Sequence, residues 1–404
     1  MVATVTTHDA ILKTLVPDIK LIRMIEEDEP FYGLCKKRTD FDGKKKQVPV
    51  RSNNNQAISP SFSVAQAITA GATNIEFDIT RTECFGFATL ANELIEASKS
   101  KKGAFVDAVE DEVKSTMETL MGYLGVLLYG NGGGAIGQIS DVTTTRITLT
   151  DPRDSVNFHK GMVLQSSLTD GTSGAVKAGS HTVSAVDEEN GYIDAATNWS
   201  TGIATIANSD YLFRSGGFGS VIAGLGAWCP STAPTTGDSY FGADRSVNAT
   251  RLAGTRYTST ATTTEDAIQD ALGYASQHRV GKLTHGFLNA QRWHELAKEM
   301  GSRVVRDDSV KSRATGFGYE SLAVIGPKGV TRLLPSIYCP YNTAFFTCPE
   351  NWYLDGLGPM PQMFKYDGKY MHLVPTADQR QIRFGWKGNL WTPYPHNLVR
   401  LTFS

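Results

Sequence analysis

The chain has 404 residues, with 39 Lys and Arg against 41 Asp and Glu, a formal charge of −2. Apolar residues make up 41% and charged residues 20%, enough apolar area to offset the cost of ordering, which excludes a disordered chain and predicts two or three domains of roughly 150 residues each. The near-neutral sum also excludes a protein that gathers nucleic acid by bulk positive charge.

Residues 8–29 read as one or two short helices, with Ile11, Leu12 and Leu15 before Pro17 and Leu21, Ile22 and Ile25 after it. Residues 36–51 change character. Lys36, Lys37, Arg38, Lys44, Lys45, Lys46 and Arg51 stand against only Asp40 and Asp42. Three readings are open for this basic stretch: a nucleic-acid patch, a charged edge that prevents stray strand pairing, or a contact with an acidic surface of a sister subunit. Residues 40–82 read as a long hairpin, out along Lys46–Val50 and back along Ile75–Thr80, where Ile75, Phe77 and Ile79 alternate. An isolated hairpin is marginal in water, so this one is expected to be completed by a neighbour.

Residues 90–129 carry the clearest helical pattern. Phe105, Val109, Val113, Met117, Leu120, Leu124 and Leu127 recur at steps of three or four, which makes one apolar stripe. Gly130, Gly132, Gly133 and Gly134 stop it. Residues 140–214 read as a separate acidic β module, a small sandwich or barrel with strands near 147–149, 162–164, 181–186, 192–193 and 211–213. Asn190-Gly191 is expected to form a two-residue type I′ turn. Residues 215–260 are irregular. Thr264–Arg279 and Asn289–Met300 read as helices, the second capped by Asn289, with a strand over Leu283–Leu288. A hairpin follows at 322–334, then strands at 344–348, 352–354 and 370–404.

Enzyme motifs fail on their mechanics. Gly132 to Gly137 satisfies the spacing of a dinucleotide loop, but a helix precedes it and strands follow, the reverse of what phosphate binding requires. No glycine-rich loop runs into Lys-Ser or Lys-Thr. His294-Glu295 opens like a zinc-protease helix, but Lys298 stands where the second imidazole is needed. Asp187 to Gly191 lacks the alternating ligands of a calcium loop. The five cysteines, Cys35, Cys84, Cys229, Cys339 and Cys348, include no CxxC pair, so neither zinc nor a disulfide framework is expected. No leader peptide and no run of roughly 18 apolar residues is seen, so no membrane partner is expected.

The order of segments resembles the major capsid protein of tailed bacteriophages, with its Hong Kong 97-type fold. The residues carrying it are Ala10 to Lys13 and Phe31, Gly43 to Arg51 with Phe62 to Gln66, and Phe105 to Gly130. Phe158 to Met162, Gly216-Gly217, Leu252 to Gly254, Phe287 to Asn289 with Trp293, and Gly326 to Val330 complete the set. The resemblance implies an α+β chain with an N-terminal arm (1–39), an E-loop (40–85) and a P-domain on a long spine helix (86–135). It also implies an inserted β domain (140–214), an A-domain (215–365) with part of the P-domain sheet, and C-terminal strands (366–404) returning to both.

The implied function is structural: a coat protein forming pentamers and hexamers of an icosahedral head around double-stranded DNA. No catalysis, cofactor or metal is expected. The implied partners are the chain itself, a separate scaffold protein and a portal. A decoration or cement protein and DNA packaged without sequence specificity complete that set. The scaffold is inferred from the lack of a long N-terminal scaffolding segment. The location is the virion, after assembly in host cytoplasm. Lys44, Lys45, Lys46, Arg51, Ile75 and Phe77 are the subunit-interface candidates. Gly130, Gly132, Gly133, Gly134 and Gly137 are the candidates for a hinge between P- and A-domains. The alternatives are a nanocompartment shell enclosing protein cargo, or a β-rich tail or binding protein.

Overall fold

The computed structural model describes residues 29–69, 71–92, 102–300, 322–366, 368–374 and 377–403, with the backbone alone for 102–111 and residue 300. The short helices expected over 8–29 lie outside the described residues.

The described chain starts by anchoring its arm. α1 (Pro30–Leu34) is one turn, started by Pro30 at its first position and by the Glu29 carboxylate, which accepts a bond from Phe31 N. Phe31 is fully buried and its ring meets those of Tyr129, Phe287 and Trp352. β1 (Lys36–Arg38) then adds parallel to a strand at Tyr353–Gly356.

β2 (Lys45–Asn53), α2 (Phe62–Ala67) and β3 (Thr73–Thr80) form the long hairpin. Its register sets Lys46 opposite Ile79, Val48 opposite Phe77 and Val50 opposite Ile75. Because side chains alternate across a strand, those six share one face. β4 (Thr82–Ala91) follows after one residue and pairs antiparallel with the C-terminal region along its whole length. The helical expectation from residue 90 therefore fails at its start, since strand continues through Ala91. The reason is visible in the alternation. Ala88 and Leu90 point into the core, and a Cβ on Gly86 would touch Thr116 and Leu120. Phe85 and Phe87 point out.

α3 (Lys102–Tyr129) is the long helix. Val113, Met117, Leu120, Leu124 and Leu127 of the expected stripe are all buried. After the glycines come β5 (Ala135–Val142), β6 (Arg146–Leu149), β7 (Val163–Ser167), β8 (His181–Asp187), β9 (Tyr192–Ala195), α4 (Trp199–Gly202) and β10 (Tyr211–Arg214). The six strands close into a barrel, filled by Ile139, Ile147, Leu149, Leu164, Val183, Ile193 and Leu212. The module thus begins at Ala135, five residues before the expected boundary. Asn190-Gly191 does not form the expected two-residue turn, which needs positive φ at both residues. Only Gly191 has it. Asp187 instead organises a longer loop, its Oδ1 accepting from the amides of Glu189 and Asn190.

The irregular stretch holds α5 (Leu225–Trp228), β11 (Ser239–Tyr240), β12 (Ala243–Asp244) and α6 (Ala249–Ala253). Beyond it lie β13 (Thr255–Thr258), α7 (Thr264–Gln277), β14 (His285–Asn289), α8 (Ala290–Met300), β15 (Leu322–Gly326), β16 (Gly329–Ser336) and β17 (Thr343–Thr347). The chain ends with β18 (Tyr353–Gly356), β19 (Gln362–Met363), β20 (Met371–Leu373), β21 (Gln379–Trp391) and β22 (Val399–Thr402). Asn289 caps α8 as expected, accepting from Gln291 N at 2.9 Å.

Two six-stranded sheets result. One is organised on β21, which pairs with β4, β18, β19 and β20, with β1 at its edge. The other runs β13-β22-β17-β14-β16-β15. The C-terminal strands enter both. α3 covers the first sheet, with Tyr123 against Trp386. α7 buries Ala267, Ile268, Ala271 and Leu272 against Leu288, Leu333, Phe346 and Leu401 of the second.

Candidate subunit interface and interdomain joint

The base of the hairpin is built into its own chain. Phe77 is fully buried, its ring 5.4 Å from that of Trp228. It was expected at a subunit interface, but it has no surface left to offer another chain. Ile75 is half-buried against the same core. Lys46 was expected at the interface too. Its ammonium instead contacts the Asp355 carboxylate, which is fully buried, and lies 3.8 Å from Asp40. It also sits 5.1 Å from the centre of the Trp391 ring. Lys45 pairs with Asp78 at 2.9 Å and holds that carboxyl below its usual range. Lys36 and Arg38 lie over Tyr353, and Lys37 over Tyr32. Much of the basic stretch is therefore neutralised or stacked within the chain. Lys44 and Arg51 remain exposed.

The far half of the hairpin differs. α2 has no buried residue, and Ile58 and Phe62 are 81% and 83% exposed, with Val64 half exposed. Backbone support ends near its start, where Asn248 Nδ2 and Arg251 Nη1 donate to Ser52 O. A second uncovered apolar surface is the outer face of β4. Phe85 and Phe87 are 45% and 52% exposed, Phe85 lies against Phe364, and Lys387 lies over both Phe85 and Phe364. Neither phenylalanine is among the interface candidates that the sequence suggests. The only signal along the chain is the large-small alternation Phe85-Gly86-Phe87-Ala88, which has the period of a strand but no polar face to mark its outside.

The glycines after α3 form a close crossing of three chain segments. A Cβ on Gly133 would lie 2.1 Å from Asp170 O, and one on Gly134 would lie 2.2 Å from Gly217 O. Gly134 also has φ +89°. Gly219 N donates to Gly133 O at 2.8 Å, and Asn131 Oδ1 accepts from Gly133 N. Gly130 ends the helix, its amide donating to Leu127 O, and Gly132 has φ +82°. Gly137 does not belong to a hinge. It sits inside β5, in register with Leu212 of β10.

The inserted barrel meets α8 and the loop before β17 through its 3-10 turn, Pro152–Asn157. Arg153 Nε donates to Gln291 Oε1 at 2.6 Å, and its guanidinium lies over Tyr341. Burial, with Asp151 nearby, pushes the Asp154 carboxyl up to about 7. His285, half-buried beside Arg332, is pushed down to about 4 by desolvation and by that charge.

Among the described residues no helix is long and apolar enough to cross a membrane, and no cluster of His, Cys, Asp and Glu fits a metal. No family model matches the chain, and no curated protein matches it. Solved structures do. A capsid protein of cyanophage A-1(L) superposes with a TM-score of 0.52 at 11% identity, covering 93% of this chain and 92% of that one. The capsid of a native GTA particle matches at 0.47 and 8% identity, over 93% and 89%. A chain of Gordonia phage Cozz matches at 0.45 and 9%, over 94% and 87%. The end of the arm, the long hairpin, the long helix and the two sheets follow one another in the order that the segment pattern implied. The chain has the Hong Kong 97-type capsid fold, an α+β architecture, with a closed six-stranded barrel inserted after the spine helix.

Proposed function

We propose that this chain is the major coat protein of a tailed-phage type of head, assembling with copies of itself into pentamers and hexamers of an icosahedral shell around double-stranded DNA. The observation that carries the reading is the hairpin. Its base is fixed by Phe77 and Lys46, while its tip holds Ile58 and Phe62 out in solvent. A firmly held arm ending in uncovered apolar side chains is stabilised by laying that end on another copy. A head-to-tail contact of this kind closes into rings when its rotation permits, and many modest contacts together hold a shell. Lys44, Arg51 and the exposed edge of Ile75 join the tip as neighbour contacts. Gly130, Gly132, Gly133 and Gly134 act as the joint between P- and A-domains.

The role is structural rather than enzymatic, and its place is the virion after assembly in host cytoplasm. A scaffold protein, a portal and a decoration protein are its further partners. A net charge of −2 cannot draw a genome in by co-assembly, so DNA enters a shell that already exists. Electron microscopy of the purified chain tests this. Closed thin-walled shells with five- and six-fold clusters, formed after nuclease treatment, are expected. A discrete monomer or trimer under all assembly conditions would overturn it. Protein cargo in place of nucleic acid inside native particles would point to a nanocompartment shell instead.

A further inference from the structure

A cavity of about 740 Å³ lies where the end of α3, the barrel and the second sheet meet, within the size range of small-ligand sites. Its lining includes Asn131, Asp170, Tyr240, Arg245, Thr343 and Arg400. The charges in it are not equally satisfied. Asp238 accepts from Arg245 Nε at 2.8 Å, and Arg245 Nη1 donates to Ala227 O. Asp170 accepts from Asn131 Nδ2 at 2.7 Å and from the Thr172 hydroxyl at 2.6 Å.

Arg400 is different. Its Nη1 has only a long 3.4 Å bond to Cys229 O, and its buried Nε has no partner. No carboxylate among the described residues pairs with it. Its register partner on β13 is Arg256, whose Nη2 donates to Gly254 O at 2.9 Å and whose Nη1 is buried without a partner. Two like charges directly opposite on adjacent strands are unfavourable, and partial burial raises that cost. The Tyr240 hydroxyl, on the same cavity, is also buried without a partner.

We infer that this cavity is an oxyanion site, taking a carboxylate or a phosphate group on Arg400, with Tyr240 Oη as a second donor and Arg256 adding charge from the neighbouring strand. An oxyanion would replace the long bond to Cys229 O with a charge-assisted one and neutralise the cross-strand pair. A guanidinium presents a planar fork that suits either group, and the two ligand shapes are separated by experiment.

The test is calorimetric titration of the unassembled full-length chain with inorganic phosphate and, separately, with glutarate, at fixed ionic strength. Saturable binding of at least one is expected, weakened about tenfold or more in Arg400→Gln. Arg400→Lys keeps the charge but loses the fork, so it should also bind more weakly, and Tyr240→Phe should lose a smaller factor. Far-UV circular dichroism checks that each variant is folded. If Arg400→Gln does not fold, the Arg400→Lys and Tyr240→Phe variants decide. Phosphate binding without glutarate binding identifies a tetrahedral ligand, and the reverse a carboxylate. Saturable binding of neither, or equal affinity in wild type and the folded variants, would sink the assignment.

Discussion

The guanidinium of Arg153 lies 3.6 Å from the centre of the Tyr341 ring, which joins the inserted barrel to the loop before β17 across 188 residues of sequence. Arg292 lies 4.0 Å from the same ring, and Glu295 accepts from the Tyr341 hydroxyl at 2.9 Å. Tyr341 is thus held by its own domain before Arg153 reaches it. A cation over a ring is worth about 0.5–2 kcal/mol depending on desolvation. Replacing Tyr341 with Leu should loosen the barrel and speed amide exchange over residues 152–157. A double-mutant cycle of Arg153→Ala with Tyr341→Leu should give a coupling of about 0.5–2 kcal/mol. Additive effects would show that the contact contributes nothing.

The same docking turn is expected to respond to pH. Burial raises the Asp154 carboxyl to about 7, against 3.8 for the ordinary group. Between those values the folded chain holds a proton that the unfolded chain has lost. Stability from this group is therefore greatest below about 4 and declines as pH rises to about 7. His285, lowered to about 4, acts in the opposite direction: its contribution is lost as pH falls from about 6.5 to about 4. Asp154→Asn isolates the first effect. Its melting midpoint should exceed that of wild type by more at pH 8 than at pH 5. An equal difference at both would show that Asp154 titrates normally.

Lys46 and Asp355 tie the hairpin base to the sheet organised on β21. Asp355 is fully buried; its Oδ2 also accepts from Trp391 Nε1 at 3.2 Å, the Asp40 carboxyl adjoins it, and its Oδ1 is buried without a partner. Removing one member of a buried pair leaves an uncompensated charge, which costs about 3–5 kcal/mol. Lys46→Met should lose stability on that scale in urea titrations. The double variant Lys46→Met with Asp355→Asn should recover much of the loss. A single variant as stable as wild type would mean that water already satisfies the carboxylate.

How much of this was legible in the sequence follows the range of each interaction. The α3 stripe, the α8 cap at Asn289 and the hairpin register all rest on spacings within one element, and each can be seen along the chain. β4 was missed because its outward residues are Phe85 and Phe87 and its inward ones include Gly86, so its polarity is reversed from the usual pattern. The start of the barrel was missed because residues 135–142 alternate polar and apolar only weakly, and the closure of the barrel, not the segment, makes them a strand. The interface candidates fared worst. Phe77 and Lys46 look exposed in a polar hairpin, but their partners, Trp228 and Asp355, lie about 150 and 309 residues away. Local composition carries no information about such partners.

At the joint, Gly133 and Gly134 are required by close approach rather than by looseness. A methyl group at 133 would collide with the backbone at Asp170, which cannot turn aside as a side chain can. Gly133→Ala should therefore cost stability, on the order of 1–3 kcal/mol as in other overpacked sites, and shift the barrel relative to α3. Gly137→Ala tests a different thing. Its Cβ would meet the Phe158 ring at 3.0 Å inside the barrel, so it should destabilise the barrel without moving the joint. If Gly133→Ala melts like wild type and still assembles, these segments do not constrain the joint.

The hairpin tip separates folding from assembly. Ile58 and Phe62 touch little in their own chain, since α2 buries nothing. Replacing both with Ser should leave the melting midpoint of the unassembled chain within about 1–2 °C, because exposed positions away from special features change stability by about 0.5 kcal/mol or less. The same change should abolish or greatly slow shell formation, read by light scattering and electron microscopy, because each subunit loses the apolar contact repeated around the ring. Salt should act weakly on this step, as Lys45 and Lys46 are already paired within the chain and an apolar contact is not screened. Normal shells from the Ile58→Ser, Phe62→Ser variant would remove the tip from the interface. Assembly that collapses at moderate salt would instead return the contact to charge complementarity, with Lys44 and Arg51 as its remaining exposed cations.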